Sequence, residues 1–261
     1  MGEHLDRRHL IGTTTAVIAT LASNHMAEAL QGARQSLHCV VVENNTLNND
    51  GYSVSMLAFR DLDKHLSKLS DIRKKISYRR HLKFSSTDRR KIPYAEMAIA
   101  YFVATPDLKG HIVRVDKFTN WHGHTAAARR EIYFGIYRRL FDSIQHQTRS
   151  ETSVHLWQRS PNGIRDQQLI DVIKEKLGPR SSVSAGGRQL EGDTDDIELL
   201  RFASLLFGTI ARDLEDKGGH KRVSTTKLKI RNTLRAALRV PNLSHELLVS
   251  SGKFGVVTVS Y

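Results

Sequence analysis

The sequence predicts an α/β protein built on a mixed sheet, with helices on both faces. Three observations predict it. Two apolar runs of strand length, 37–43 and 52–59, are joined by the link NNTLNNDG at 44–51. Further short apolar runs alternate with segments of helical period along the rest of the chain. Finally, the link between the first two runs carries a turn signal, so the two form a leading hairpin, which argues against a purely parallel sheet.

The first run, LHCVVVE, is compact and β-branched, and it ends in the carboxylate of Glu43. The link contains Asn-Asp-Gly, whose residues tolerate positive φ and so favour a turn. The second run, YSVSMLAF, starts with polar and apolar residues in alternation. Together they predict a hairpin at the centre of the sheet, with Glu43 where the first strand emerges.

After the hairpin, Leu62, Leu66, Leu69, Ile72 and Ile76 recur at helical spacing with lysines between them, which predicts an amphipathic helix over 61–76. The segment 81–86, HLKFSS, is a strand candidate framed by Arg79 and Arg80 before it and by Arg89, Arg90 and Lys91 after it. Pro93 suits the first turn of the next helix, where its missing N–H costs nothing. That helix, 95–104, is nearly all apolar and predicted to be buried. A strand follows over 111–117, with Asp116 at its exit.

A helix is predicted over 125–144, with Ile132, Ile136, Leu140 and Ile144 in one row and Tyr133, Tyr137 and Phe141 in the next. Arg138 and Arg139 fall off this stripe. A strand over 153–157, a helix over 166–177 stopped by Gly178-Pro179, a weak strand over 182–190 and an apolar helix over 197–214 come next. The tail from Gly218 is basic, with a helix predicted through Ile230, Leu234 and Leu238 and a last strand over 254–261.

Composition bounds the function. The chain has 261 residues, 40 Lys+Arg against 27 Asp+Glu, and a net charge of +13. Such a surplus favours a polyanionic partner, nucleic acid first. The single cysteine, Cys39, excludes an internal disulfide and cysteine zinc sites, and it fits a reducing, cytoplasmic setting. Arg7 and Arg8 ahead of the apolar stretch 11–22 look like the start of a twin-arginine signal. Three threonines and the early Asn24-His25 favour an accessory arm over 1–36 instead, and the stretch is too short to span a membrane. The domain proper is expected over 37–261, with a basic C-terminal extension. No Gly-rich phosphate loop, nucleophile elbow or zinc-spaced histidine pair is present.

Three places together resemble one family. The first strand ends in an acid and enters a hairpin. A strand with Leu-Lys-Phe-Ser at 82–85 is followed by a helix and a strand ending Val115-Asp116-Lys117. Near the end, Glu198-Leu-Leu-Arg-Phe-Ala-Ser-Leu-Leu-Phe-Gly208 is similar to a Leu-Leu-Gln-x-Ala-Asp-Leu-x-x-Gly helix. The family is the prokaryotic "domain of unknown function 3800", whose members look like ribonuclease-H-type folds. The resemblance implies carboxylates gathered at strand ends and on the last large helix, holding two divalent cations about 4 Å apart for phosphodiester hydrolysis. Mg²⁺ or Mn²⁺ would be the cofactor, since hard oxygen ligands suit these ions.

Carried over residue by residue, the family's first-strand Asp falls on Glu43, and the Glu-Ser after it on Asn44-Asn45. Its Glu before Leu-Lys falls on His81, which suits Mn²⁺ better than Mg²⁺. The last-helix Asp falls on Ser204, and an acid expected after the penultimate strand is replaced near Trp157-Gln158. Asp116 and Lys83 remain. The implied site is therefore Glu43, Asp116, His81 and Lys83, with Glu43 and Asp116 as metal ligands.

Each residue also has a plain structural reading. Glu43 closes a strand end, Asp116 pairs with Lys117, and His81 and the His122-Gly-His124 loop are polar surface. Asp195 with Glu198 forms a capping box in an acidic run (Asp193 to Glu198) that otherwise offers replacement ligands. Arg79, Arg80, Lys83, Arg89, Arg90, Arg138 and Arg139 are the expected phosphate contacts. Two functions follow: a metal-dependent nucleic-acid phosphodiesterase with a rearranged site, or a silent module of the same fold that binds DNA, RNA or a protein partner.

Overall fold

The computed structural model describes residues 36–44, 52–77, 88–115, 123–144, 151–157, 166–185, 196–215 and 224–260. They form six strands and seven α-helices. In chain order these are β1 (Leu37–Asn44), β2 (Ser53–Phe59), α1 (Leu62–Ile76), a 3₁₀ turn (Arg89–Lys91) leading into α2 (Ile92–Ala104), β3 (Lys109–Val115) and α3 (Ala126–Asp142). Then come β4 (Thr152–Trp157), α4 (Asp166–Leu177), β5 (Ser181–Ala185), α5 (Asp196–Glu215), α6 (Thr225–Leu238), α7 (His245–Ser250) and β6 (Phe254–Val259).

The strands form one sheet in the order β5-β4-β1-β2-β3-β6. β2 pairs antiparallel with β1 and with β3, and the other three pairings are parallel. β2 alone therefore runs against the rest, and the carboxyl ends of the other five strands share one edge. The hairpin lies at the centre, as its composition predicts. Its linking residues 45–51, and the strand expected over 81–86, lie outside the described residues.

Both faces of the sheet are covered. Period-two alternation sends Leu37, Cys39 and Val41 of β1 to one face and Val40 and Val42 to the other, and all five are buried. The Val40 face packs on α1, α2, α5 and α6, with Leu69, Phe102, Leu206 and Leu234 in its core. The Cys39 face packs on α3 and α4 through Tyr133, Ile136, Leu140, Leu169 and Ile173. Burial in this layer pushes the Cys39 thiol far above its usual range.

Local signals set the helix ends. Asp61 caps α1, its side chain accepting from the Lys64 amide at 3.0 Å, and Ser77 ends that helix in the left-handed region at φ 53°. Thr125 and Ser224 cap α3 and α6 in the same way. α7 has no counterpart in the sequence reading: it is six residues long, too short for a periodic signal, and Ser244 caps it.

The two ends of the helical layer can be placed. At the start of β3 and β6, the Lys253 ammonium donates to the carbonyls of Thr105, at 2.5 Å, and Leu108. Thr105 follows α2, so α2 ends at the amino edge of the parallel strands and begins at the carboxyl edge. α1 packs antiparallel to it and ends at the carboxyl edge.

Candidate functional site at the carboxyl edge of the sheet

Glu43 continues the row Leu37, Cys39, Val41, so its side chain faces α3. There it meets Tyr133 and Tyr137, which stand one helical turn apart and share a face. The Tyr133 hydroxyl donates to Glu43 Oε1 at 2.5 Å, and the Tyr137 hydroxyl donates to the same oxygen at 2.6 Å. The two hydroxyls are 3.4 Å apart. Both tyrosines are fully buried, whereas Glu43 is half-buried.

Tyr52 completes the cluster. It precedes β2, directly beyond the Asn44–Ser53 pair, and it is 1% exposed. Burial raises the Tyr52, Tyr133 and Tyr137 hydroxyls well above the ordinary phenol range, and the Glu43 charge raises each further. The three phenols thus stay neutral, and at least two serve as hydrogen-bond donors to one carboxylate.

A further acid belongs to this neighbourhood. Asp166, the exposed first residue of α4, lies close enough for its charge to act on the Tyr133 hydroxyl. In the sequence Asp166 reads only as the first residue of a helix. Asn44, on the opposite side of β1, reaches Ser55 Oγ at 3.3 Å.

The other expected site residues divide. Asp116, His81, Lys83, Arg79 and Arg80 lie outside the described residues. Asp116 directly follows Val115, whose amide donates to the Tyr52 carbonyl at 2.8 Å, so the described end of β3 stands beside the tyrosine cluster. Ser204 is on α5, which packs on the Val40 face, so β1 separates it from the Glu43 side chain. Glu198 lies on that same far face and is 6% exposed. It binds Arg73 Nε at 2.6 Å and Arg201 Nη1 at 3.0 Å, an ion triad, and Asp195, its partner in the expected capping box, lies outside the described residues. The side chain of Trp157 and the residues 193–195 are outside the description.

A two-cation centre at this edge would use Glu43 as a ligand. Glu43 Oε1 already accepts two phenol protons, and a cation there would compete with both. Among the described residues no group of three or more His, Cys, Asp or Glu side chains is placed to hold a metal ion. Of the two ligands that the resemblance implies, Glu43 alone is among the described residues, and Asp116 lies outside them.

Basic residues collect at the same edge on the helical side. Lys74 and Lys75 end α1 and are exposed, and Arg89 is exposed at the 3₁₀ turn. Arg90 is committed to Asp88 through a two-pronged pair at 3.1 and 3.0 Å. Lys91 is buried, and its ammonium is pushed down to about 8, by burial first and then by the nearby Lys227 charge. Lys229, one turn into α6, sits 3.5 Å from Glu96. On α3, Arg138 lies 3.5 Å from Glu131 and Arg139 is exposed.

No family model matches the chain, and no curated protein matches it.

Proposed function

We propose that the chain is a ribonuclease-H-like module that binds nucleic acid through its basic carboxyl edge and does not hydrolyse it. The carrying observation is that one oxygen of Glu43, the acid placed where a catalytic ligand would stand, accepts from both Tyr133 and Tyr137. A ligand carboxylate must offer its lone pairs to the metal. Here two of its acceptor positions, both on Oε1, are engaged by neutral phenol donors. The leading antiparallel hairpin, the otherwise parallel sheet and the two helical layers support the fold reading.

Lys74, Lys75 and Arg89, on the same edge, support the binding reading, because phosphate contacts need charge without a shaped pocket. No helix among the described residues is long and apolar enough to cross a membrane.

A second reading, a Mg²⁺- or Mn²⁺-dependent phosphodiesterase, draws on Asp166, whose charge acts on the Tyr133 hydroxyl, and on Asp116 directly after β3. Binding and cleavage of single- and double-stranded DNA and RNA, with and without Mg²⁺ or Mn²⁺, separates the two. The expected result is binding with no metal-dependent cleavage, and weaker binding by K74E/K75E/R89E. Cleavage that needs the metal and disappears in E43A and D116A overturns the proposal in favour of the second reading. Absence of binding overturns both.

A further inference from the structure

Three helix ends meet at the carboxyl edge on the Val40 face. They are the last turn of α1 with Arg73, the first turn of α2 with Tyr94, and the start of α5 with Glu198 and Arg201. Glu198 Oε1 holds both guanidiniums, Arg73 through Nε at 2.6 Å and Arg201 through Nη1 at 3.0 Å. The Arg73 guanidinium lies 5.9 Å from the centre of the Tyr94 ring. Tyr94 is fully buried, and the charges of Glu198, Arg73 and Arg201 all act on its hydroxyl. Burial first, then the Glu198 charge, raises that hydroxyl above the ordinary phenol range, so it stays neutral.

Three buried atoms of this cluster have no hydrogen-bond partner among the described residues: Tyr94 Oη, Glu198 Oε2 and Arg201 Nε. Buried polar groups are almost always paired, and each unpaired one costs stability. The three form a mixed set: a carboxylate oxygen that accepts, an N–H that donates, and a hydroxyl that does both. A bare anion would suit Arg201 and be repelled by Glu198. A metal cation would suit Glu198 and be repelled by both arginines. The set calls for an anionic oxygen with a hydroxyl beside it. A ribonucleotide unit carries both, as its phosphodiester and its 2′-hydroxyl, and DNA lacks the second. The charge agrees as well. Two guanidiniums and one carboxylate leave one positive charge, which matches the single negative charge of an internal phosphodiester.

Resting on the nucleic-acid-binding reading above, we propose that Tyr94, Glu198 and Arg201 select RNA over DNA at this edge. The 2′-hydroxyl donates to Glu198 Oε2 and accepts from Tyr94 Oη, while Arg201 Nε donates to a phosphate oxygen. The Arg73 and Arg201 side chains, 14% and 16% exposed, form the outer wall of the cluster. Exposed Lys74 and Lys75 extend the basic surface directly from Arg73.

Fluorescence anisotropy on one single-stranded sequence, made as RNA, as DNA and as 2′-O-methyl RNA, tests this. The 2′-O-methyl strand keeps the 2′ oxygen and lacks its proton. The full chain should bind RNA about tenfold more tightly than either of the others. Y94F removes a hydroxyl that has no partner in the free protein, so its thermal melt should be unchanged or higher. Its affinity for RNA should nevertheless fall to the level of its affinity for DNA. Equal wild-type affinity for the three strands overturns the proposal and leaves the binding reading standing. So does a preference for RNA that survives in Y94F, which would mean that the hydroxyl holds a water only. Binding to none of the strands overturns the binding reading and this proposal with it.

Discussion

Tyr133 and Tyr137 set what Glu43 can do. A hydrogen bond to a charged group contributes about 1.5–3 kcal/mol, so Y133F or Y137F should destabilise the fold by about that much, read as a shifted urea midpoint at unchanged slope. E43Q should cost less than E43A, since it keeps an acceptor for the phenols. The three phenols also predict an alkaline limit. Their folded values lie above the free value of 10.0, so the folded state keeps protons that the unfolded chain gives up. Their stabilisation is complete below about pH 10 and declines as pH rises further. Urea denaturation across that range should show the decline in the wild type, and it should flatten in the triple Y52F/Y133F/Y137F variant. Glu43 was legible in the sequence as a strand-end acid, and the tyrosines were legible as a buried row on a helix. Their meeting was not, because periodicity assigns a residue to a face and says nothing about the residue opposite it ninety positions away.

At the scale of elements, the helices of the Val40 face are joined by buried ion pairs as well as by apolar contact. Glu198 ties α1 to the start of α5 through Arg73 and Arg201. Near the end of α5, Asp213 binds Arg231 and Arg235 of α6 and accepts from the Leu243 amide at 2.8 Å. At the amino edge, the fully buried His65 of α1 joins the Tyr101 hydroxyl at 2.6 Å and Asp107 at 2.9 Å, fixing the loop that leads into β3. Removing one member of a buried pair strands the others, at about 3–5 kcal/mol. E198A should therefore lose several kcal/mol in chemical denaturation, and E198A/R73M should recover part of it, as a double-mutant cycle would show. The strands and long helices were legible because their periods are strong. α7 was not, since six residues hold less than two turns. The partners of Glu198 were hidden for another reason: a capping pattern with Asp195, three residues before it, explained the acid locally.

For the whole molecule, the charge surplus is the property with the widest reach. Binding that rests on phosphate contacts releases counterions, so the logarithm of affinity should fall linearly with the logarithm of salt concentration. Each lysine or arginine contact removed should lower that slope by about 0.9 on duplex DNA. Fluorescence anisotropy on one duplex over a salt series checks it: K74E/K75E should flatten the slope, whereas E43Q should leave it unchanged. The sequence announced the surplus but not its distribution. Arg90 and Arg138 looked equivalent to Arg89 and Arg139, yet each of the first two has an acidic neighbour within reach.

The place of the hairpin within the sheet has a kinetic consequence. β1 and β2 meet across a short link, whereas β1 and β4 align His38 with Ser153, and β3 waits for β6 from the far end of the chain. Closing such long loops is entropically slow, and chains dominated by distant pairings reach the native state late. The central ribbon is thus the part of the sheet with the shortest link, able to assemble early, and its β1 flank must wait unpaired until β4 arrives.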